Sequence, residues 1–101
     1  MKVIYKITYP NGKIYIGSDQ TDSRLTYFGS PSKKILDQDF NRADLQDFTI
    51  RKQILWQSET ATNSELLRFE KELIVEHRAN DPAYGYNQRP LFRPGTNDQP
   101  K

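Results

Sequence analysis

The amino-acid sequence predicts a small domain of the α+β class. Its 101 residues suffice for one domain of ordinary size and are too few for two. Residues 2–9 and 13–17 alternate apolar and polar side chains with the period of a β-strand, and residues 47–56 do so again. A long helical pattern without proline or glycine follows at residues 63–79. Strands and helices therefore occur together in one small domain.

The first two strands, KVIYKITY and KIYIG, predict a β-hairpin around the sequence Pro-Asn-Gly. A two-residue Asn-Gly loop would place Pro10 opposite Lys13, where the ladder requires an N–H group that proline lacks. A three-residue loop of residues 10–12 is therefore favoured, with Gly12 in the left-handed conformation of the bulge that follows the turn.

This hairpin register brings two tyrosines together. Tyr5 would face Gly17, and Ile7 would face Tyr15, so both phenols lie on one face of the sheet beside the open backbone of the glycine. Tyrosines on strands usually serve packing. A phenol is a poor base at neutral pH, and use as a proton acceptor requires a nearby cation, which Arg24 or a metal ion would supply.

The middle of the chain predicts a loop, a short helix and a third strand. Residues 18–30 are rich in turn formers, and Ser30 followed by Pro31 is typical of a helix start, with the helix ending near Phe40. Residues 47–56 (DFTIRKQILW) are interpreted as the third strand. Its predicted apolar face, which Lys52 interrupts, comprises Phe48, Ile50, Ile54 and Trp56.

The C-terminal helix carries one carboxylate inside its apolar stripe. Thr62 and Glu65 fit a capping box at its start. At about 100° per residue the stripe comprises Leu66, Leu67, Phe69, Glu70, Leu73, Ile74 and His77. Glu70 loses solvation there, which is unfavourable for an ionised carboxylate unless another interaction compensates. Either it is a hydrogen-bonded glutamate at the edge of the stripe or it binds a divalent cation. A single glutamate with water ligands suits Mg²⁺.

Other candidate residues each have two interpretations. Arg24 either clamps a phosphate with its guanidinium or is a solvated loop residue. Lys33 and Lys34 lie in the first turn of a predicted helix, where they either reach a nucleic-acid backbone or form a solvated face. His77 fits a core-edge histidine better than a ligand or base.

Composition excludes several function classes. Cysteine is absent and histidine occurs once, which excludes disulfide frameworks, thiolate metal sites and zinc sites built on several histidines. No apolar run approaches the roughly 18 residues of a membrane span, and no secretion signal is recognisable, so we expect a cytoplasmic protein. The net charge of +2 permits nucleic-acid binding without indicating it. We expect a domain at residues 1–90 and a flexible tail at residues 91–101.

Five short elements in order resemble the GIY-YIG nuclease superfamily: Ile4-Tyr5, Tyr15 to Gly17, Arg24, Glu70, and Asn87 in Gly-Tyr-Asn. The resemblance covers residues 1 to about 90. The stretch TYFGS at residues 26–30 is further similar to homing-type endonucleases of phages and bacteria. Two departures stand out: Val3 occupies the position of the first motif's glycine, and Tyr27 is the candidate for a histidine or tyrosine that follows the arginine in many members.

The resemblance implies a three-stranded antiparallel sheet flanked by helices and hydrolysis of a DNA phosphodiester with one Mg²⁺ or Mn²⁺ ion. Glu70 would bind the metal, Tyr5 would be the general base, Tyr15 would position the attacking water and Arg24 would stabilise the phosphate. Asn87 would support the geometry of the site or contact the scissile region. Both tyrosines and the glutamate are then expected to line one cleft.

Three functions follow as hypotheses. The first is a Mg²⁺-dependent endonuclease of homing or restriction type in a bacterial or phage-infected cell, with Gly17, Tyr27, Lys33 and Lys34 as substrate-binding residues. Its target specificity would come from a homodimer, a separate partner or the short tail. The second is a catalytically inactive DNA-binding domain on the same scaffold. The third is a protein-interaction module whose apolar helix face docks a partner.

Overall fold

A central antiparallel sheet organises the part of the chain that the computed structural model describes, which is residues 1–21, 29 and 31–93. The elements in chain order are β1 (Lys2–Thr8), β2 (Ile14–Asp19), α1 (Lys33–Asp39), a 3₁₀ helix (Asp44–Asp47), β3 (Arg51–Ser58) and α2 (Asn63–Glu76). β1 lies between the other two strands and pairs antiparallel with both. The predicted α+β class with a three-stranded antiparallel sheet is thus confirmed.

The hairpin of β1 and β2 has the predicted three-residue loop. Tyr9 N–H donates a hydrogen bond of 2.9 Å to the carbonyl of Lys13, which closes the loop. Gly12 has φ +89°, the left-handed conformation that glycine adopts without steric cost. The register therefore pairs Tyr5 with Gly17, as expected from the requirement that Pro10 stay out of the ladder.

The third strand differs from its prediction. It begins at Arg51, because residues 44–47 form a 3₁₀ helix. Its pairing with β1 shifts by one residue: Trp56 lies opposite Ile4, whereas Ile54 lies opposite Tyr5. Leu55 is the extra residue of this bulge, and the bulge places Ile54 and Trp56 on opposite faces of the sheet. The prediction that these two residues share a face was wrong.

Both faces of the sheet are covered. On one face α1 packs through Ile35, Leu36 and Phe40 against a buried cluster of Val3, Tyr5, Ile7, Tyr9 and Tyr86. On the other face α2 contributes to a second cluster of Ile4, Ile16, Leu66, Ile74 and Ala79. The tyrosine face and the helix carrying Glu70 are therefore on opposite sides of the sheet.

Helix α1 begins two residues later than the sequence suggested. Its N-cap is Ser32, whose Oγ accepts a hydrogen bond of 3.4 Å from Ile35 N–H, so the predicted cap at Ser30 was wrong. The backbone N–H of Ser32 also donates to the carbonyl of Tyr86 at 2.8 Å. This contact ties the helix start to the C-terminal segment.

Helix α2 has the predicted capping box between Thr62 and Glu65. It ends at Glu76, three residues before the predicted end, because Arg78 adopts a left-handed conformation with φ 59°. Ala79 is fully buried beyond this turn and its N–H donates to the carbonyl of Ile74. Among the described helices, none has both the length and the apolar character that crossing a bilayer requires.

Candidate functional site

A cleft of about 610 Å³ lies where β2, α2 and the C-terminal segment meet. This volume is within the range of ligand sites, roughly 300–1,000 Å³. β2 is an edge strand of the sheet, so side chains from both sheet faces reach the cleft. Its described lining residues are Tyr15, Leu67, Glu70, Lys71, Ile74, Asn87, Gln88, Arg89 and Pro90.

Asn87 fixes the wall of the cleft by pairing with the edge strand. Its Oδ1 accepts a hydrogen bond of 2.8 Å from Ile16 N–H, and its Nδ2 donates one of 2.7 Å to the Ile16 carbonyl. These bonds continue the parallel bridge between Ile14 and Gly85, so the side-chain amide acts as one further peptide unit of an added strand. Of the two roles the resemblance implies for Asn87, this geometry matches support of the site.

Glu70 is the one carboxylate among the described residues that line the cleft. It is half-buried on α2, between the turns that bury Leu66 and Ile74. Its Oε1 accepts a hydrogen bond of 3.2 Å from the hydroxyl of Ser18 on β2. Burial raises the pKa of Glu70 above its ordinary value, and the Ser18 hydrogen bond opposes this rise by stabilising the ionised form.

Tyr15 and Tyr5 lie on the same face of the hairpin, with ring centroids 6.5 Å apart and a tilt of 43°. Tyr15 is half-buried and lines the cleft with Glu70. Tyr5 is fully buried and is not among the lining residues. The structure thus brings one of the two phenols together with the acid and places the other behind it.

The rings of Tyr5 and Tyr15 occupy space that is available because residues 17 and 29 are glycines without a Cβ atom. A Cβ atom at Gly17 would lie 2.5 Å from the hydroxyl oxygen of Tyr5 and 3.0 Å from the ring of Tyr15. A Cβ atom at Gly29, where φ is +82°, would also lie 2.5 Å from that hydroxyl. Gly17 is itself buried, so its side of the hairpin is filled by these rings rather than open to a ligand.

Lys52 brings a cation to the buried tyrosine. Its Nζ lies 4.7 Å from the ring centroid of Tyr5, over the ring, because Lys52 pairs with Ile7 on the tyrosine face. In the sequence this lysine only interrupted the apolar pattern of β3. A lysine within the apolar pattern of a strand that pairs with the tyrosine-bearing strand was the sequence signal that could have predicted this contact.

Two exposed basic residues, Lys71 and Arg89, also line the cleft. Neither residue was predicted from the sequence. Lys71 follows Glu70 directly, and Arg89 lies two residues after Asn87. This closeness in sequence to two predicted site residues was the signal from which both could have been predicted.

The other predicted residues lie elsewhere or outside the described residues. Arg24 and Tyr27 belong to the latter group. Lys33 and Lys34 are exposed at the start of α1, and Lys33 forms an ion pair of 3.1 Å with Asp37. Neither lysine lines the cleft. His77 caps α2, with Nδ1 donating to the Leu73 carbonyl at 2.9 Å, which is a structural use of its side chain.

The donor set of the cleft fits a hard cation held by few protein ligands. Within the described residues there is no group of three or more histidine, cysteine, aspartate or glutamate side chains that could enclose a metal ion. Glu70 is the one lining carboxylate that could offer an oxygen ligand to such a cation. Mg²⁺ is commonly bound by one or two carboxylates, with water and substrate phosphates completing its shell.

No protein-family model matches the chain, and comparison with curated proteins and with solved structures finds no match either.

Proposed function

We propose that this chain is a metal-dependent endonuclease of the GIY-YIG type that hydrolyses phosphodiester bonds in DNA. The observation that carries the proposal is the shared cleft of Glu70 and Tyr15. A half-buried carboxylate with a raised pKa in a cleft is a typical feature of a catalytic site. The hairpin register supports the proposal independently, since it pairs Tyr5 with Gly17.

In this proposal Glu70 holds a Mg²⁺ ion, which supplies Lewis-acid stabilisation of the phosphate when bound. Ser18 holds the glutamate side chain towards β2 through its hydrogen bond. Asn87 keeps β2 and the C-terminal segment at a fixed separation and so sets the width of the cleft. Arg24 remains the proposed stabiliser of the phosphate on the grounds of the resemblance alone.

The two tyrosines have different roles towards the attacking water in this proposal. The resemblance assigns the general base to Tyr5 and the positioning role to Tyr15. Because Tyr15 lines the cleft and Tyr5 lies behind it, phenylalanine variants separate the roles. Tyr5→Phe is expected to abolish turnover if its phenol accepts the proton. An effect confined to Tyr15→Phe would assign the proton transfer to Tyr15 instead.

The deciding experiment is nicking of supercoiled plasmid by the purified chain with Mg²⁺, with Mn²⁺ and with EDTA. We expect nicking with either metal and none with EDTA. Glu70→Gln keeps the size of the side chain and should abolish nicking. Glu72→Gln is the matched control, because Glu72 is exposed on the same helix and does not line the cleft. Equal activity of the Glu70→Gln variant and the wild type would rule out the metal role.

The second candidate function is DNA binding without catalysis. The exposed Lys71 and Arg89 in the cleft favour it, since they would attract a phosphate backbone whether or not hydrolysis follows. Salt-sensitive DNA binding without nicking in either metal would support this function over the first.

A further inference from the structure

Two cations face the cleft from different walls. Lys71 projects from α2, and Arg89 belongs to the C-terminal segment that follows Asn87. Both are exposed, and neither side chain forms an ion pair or hydrogen bond with any part of the chain that the structure describes. Both are therefore available to an anionic ligand.

Two other cations of the described chain are neutralised within the fold. Lys13 is paired with Asp39 at 2.7 Å, and Arg78 with Asp81 at 3.2 Å. An acid near the cleft cations would neutralise them. Glu70 is the lining carboxylate, and within the described chain it forms no ion pair with either cation.

The backbone that carries Arg89 is held on both sides. Before it, the Asn87 amide forms two hydrogen bonds with the Ile16 backbone. After it, the carbonyl of Pro90 accepts a hydrogen bond of 2.9 Å from Asn80 Nδ2. The main chain is thus fixed while the guanidinium is exposed, which lowers the entropic cost of binding a ligand there.

Lys71 is fixed in a comparable way by its helix. The buried side chains of Leu66 and Ile74 anchor α2 on the sheet on either side of it in the sequence. The ammonium group is consequently carried by a rigid element at one wall of the cleft, opposite the segment that carries Arg89. The lining of the same cleft also includes the apolar side chains of Leu67 and Pro90, which suit the sugar rings of a nucleic-acid backbone.

We propose that Lys71 and Arg89 form a two-point clamp for the phosphate backbone, each binding one phosphate on either side of the Glu70 carboxylate. The clamp deepens the proposed function, on which it rests for the identity of the ligand as DNA. Arg89 binds its phosphate with the planar guanidinium, whereas Lys71 acts as a point charge. Contacts of this kind position the strand and carry no base specificity.

The test is the salt dependence of DNA binding by the full chain in EDTA, where no hydrolysis occurs. Anisotropy of a fluorescein-labelled duplex is measured between about 50 and 200 mM salt, and the slope of log K against log salt is about 0.9 per neutralised phosphate. Lys71→Gln and Arg89→Gln should each lower this slope by about 1, and the double variant by about 2. Arg89→Lys keeps the charge and should restore the slope.

Arg51→Gln is the matched control, because Arg51 is an exposed cation on β3, at the far edge of the sheet from β2. It makes the same change in net charge as each single variant. A double variant with the slope of the Arg51→Gln control would overturn the clamp. The circular dichroism of each variant reports whether it is folded, and both positions are exposed, so folding should be retained.

The plasmid assay distinguishes failure of this inference from failure of the proposed function. A wild-type chain that nicks plasmid while the double variant keeps its full slope would overturn the clamp and leave the endonuclease standing. A chain that never nicks but loses the slope in the double variant would support the clamp and overturn the endonuclease. A wild-type chain without salt-sensitive DNA binding would overturn the clamp, whatever the nicking result.

Discussion

The hydroxyl of Ser18 donates a hydrogen bond of 3.2 Å to Oε1 of Glu70, which joins the edge strand of the sheet to the helix packed on one of its faces. The bond has two consequences. It holds a half-buried carboxylate towards β2, and it stabilises the ionised form of a group whose burial favours the neutral form. The charge state of Glu70 is therefore set by its neighbour on β2 as well as by burial.

Removal of this hydrogen bond should raise the pKa of Glu70 further. In Ser18→Ala the burial that favours the protonated form remains and the opposing hydrogen bond is lost. The measurement is a ¹³C titration of the carboxyl group in the metal-free protein. Ser64→Ala is the control, because Ser64 is exposed in the first turn of α2. Identical titration curves for Ser18→Ala and wild type would contradict the role assigned to Ser18.

Glu70→Gln should stabilise the fold at neutral pH. Because the pKa of Glu70 is raised in the folded state, the unfolded chain releases this proton at lower pH, and the free energy of unfolding falls as pH rises through that interval. Glutamine has no such dependence. The variant should unfold at a higher temperature than wild type near pH 7, and this difference should vanish below about pH 4, where the glutamate is protonated in both states. A variant that is less stable than wild type near pH 7 and equally stable below about pH 4 would show instead that the ionised carboxylate stabilises the fold.

Asn87→Ala should weaken the attachment of the C-terminal segment. The substitution removes two hydrogen bonds of 2.8 and 2.7 Å and leaves the buried N–H and carbonyl of Ile16 without their partner. We expect the free energy of unfolding to fall by about 2–4 kcal/mol, as measured by urea denaturation. Asn80→Ala removes one partly buried bond to Pro90 and should cost about 1 kcal/mol. Equal losses in the two variants would argue against Asn87 as the main attachment.

Local chemistry was enough to predict the hairpin. Proline at position 10 cannot donate to the ladder and Gly12 can adopt positive φ, so loop length and register follow from the turn alone. The capping box of α2 was predictable for the same reason, since both of its partners lie within one turn. Confirmed predictions of this kind depend on residues close together in sequence.

Predictions that depended on tertiary contacts were less successful. The bulge at Leu55 has no signal in the sequence of β3, because it arises from pairing with β1. Leu67 was placed in the apolar stripe of α2, yet it is 57% exposed, because the cleft leaves this part of the helix uncovered. For the site, the helical pattern singled out Glu70, whereas the cleft that it shares with Tyr15 at the edge of β2 required the assembled fold.

The glycine of the Tyr-Ile-Gly sequence is needed because of the tyrosine opposite it. A Cβ atom at Gly17 would lie 2.5 Å from the Tyr5 hydroxyl oxygen and 2.7 Å from its Cζ atom, and the fully buried ring has little room to move. Gly17→Ala should therefore lower the free energy of unfolding by about 1–3 kcal/mol. In a Tyr5→Phe background the nearest atom is absent, so the same substitution should cost less.

The control for this cycle is Gly12→Ala. Gly12 has positive φ but open space around its Cα, so alanine there costs about 1 kcal/mol of backbone strain that Tyr5→Phe does not change. Urea denaturation of the four proteins in each cycle gives the coupling between the two positions. Coupling at Gly17 with none at Gly12 would tie the glycine to the position of the phenol. Additive costs in both cycles would mean that the ring of Tyr5 relaxes around the new methyl group, and the spacing of the two tyrosine-bearing strands would then not depend on that glycine.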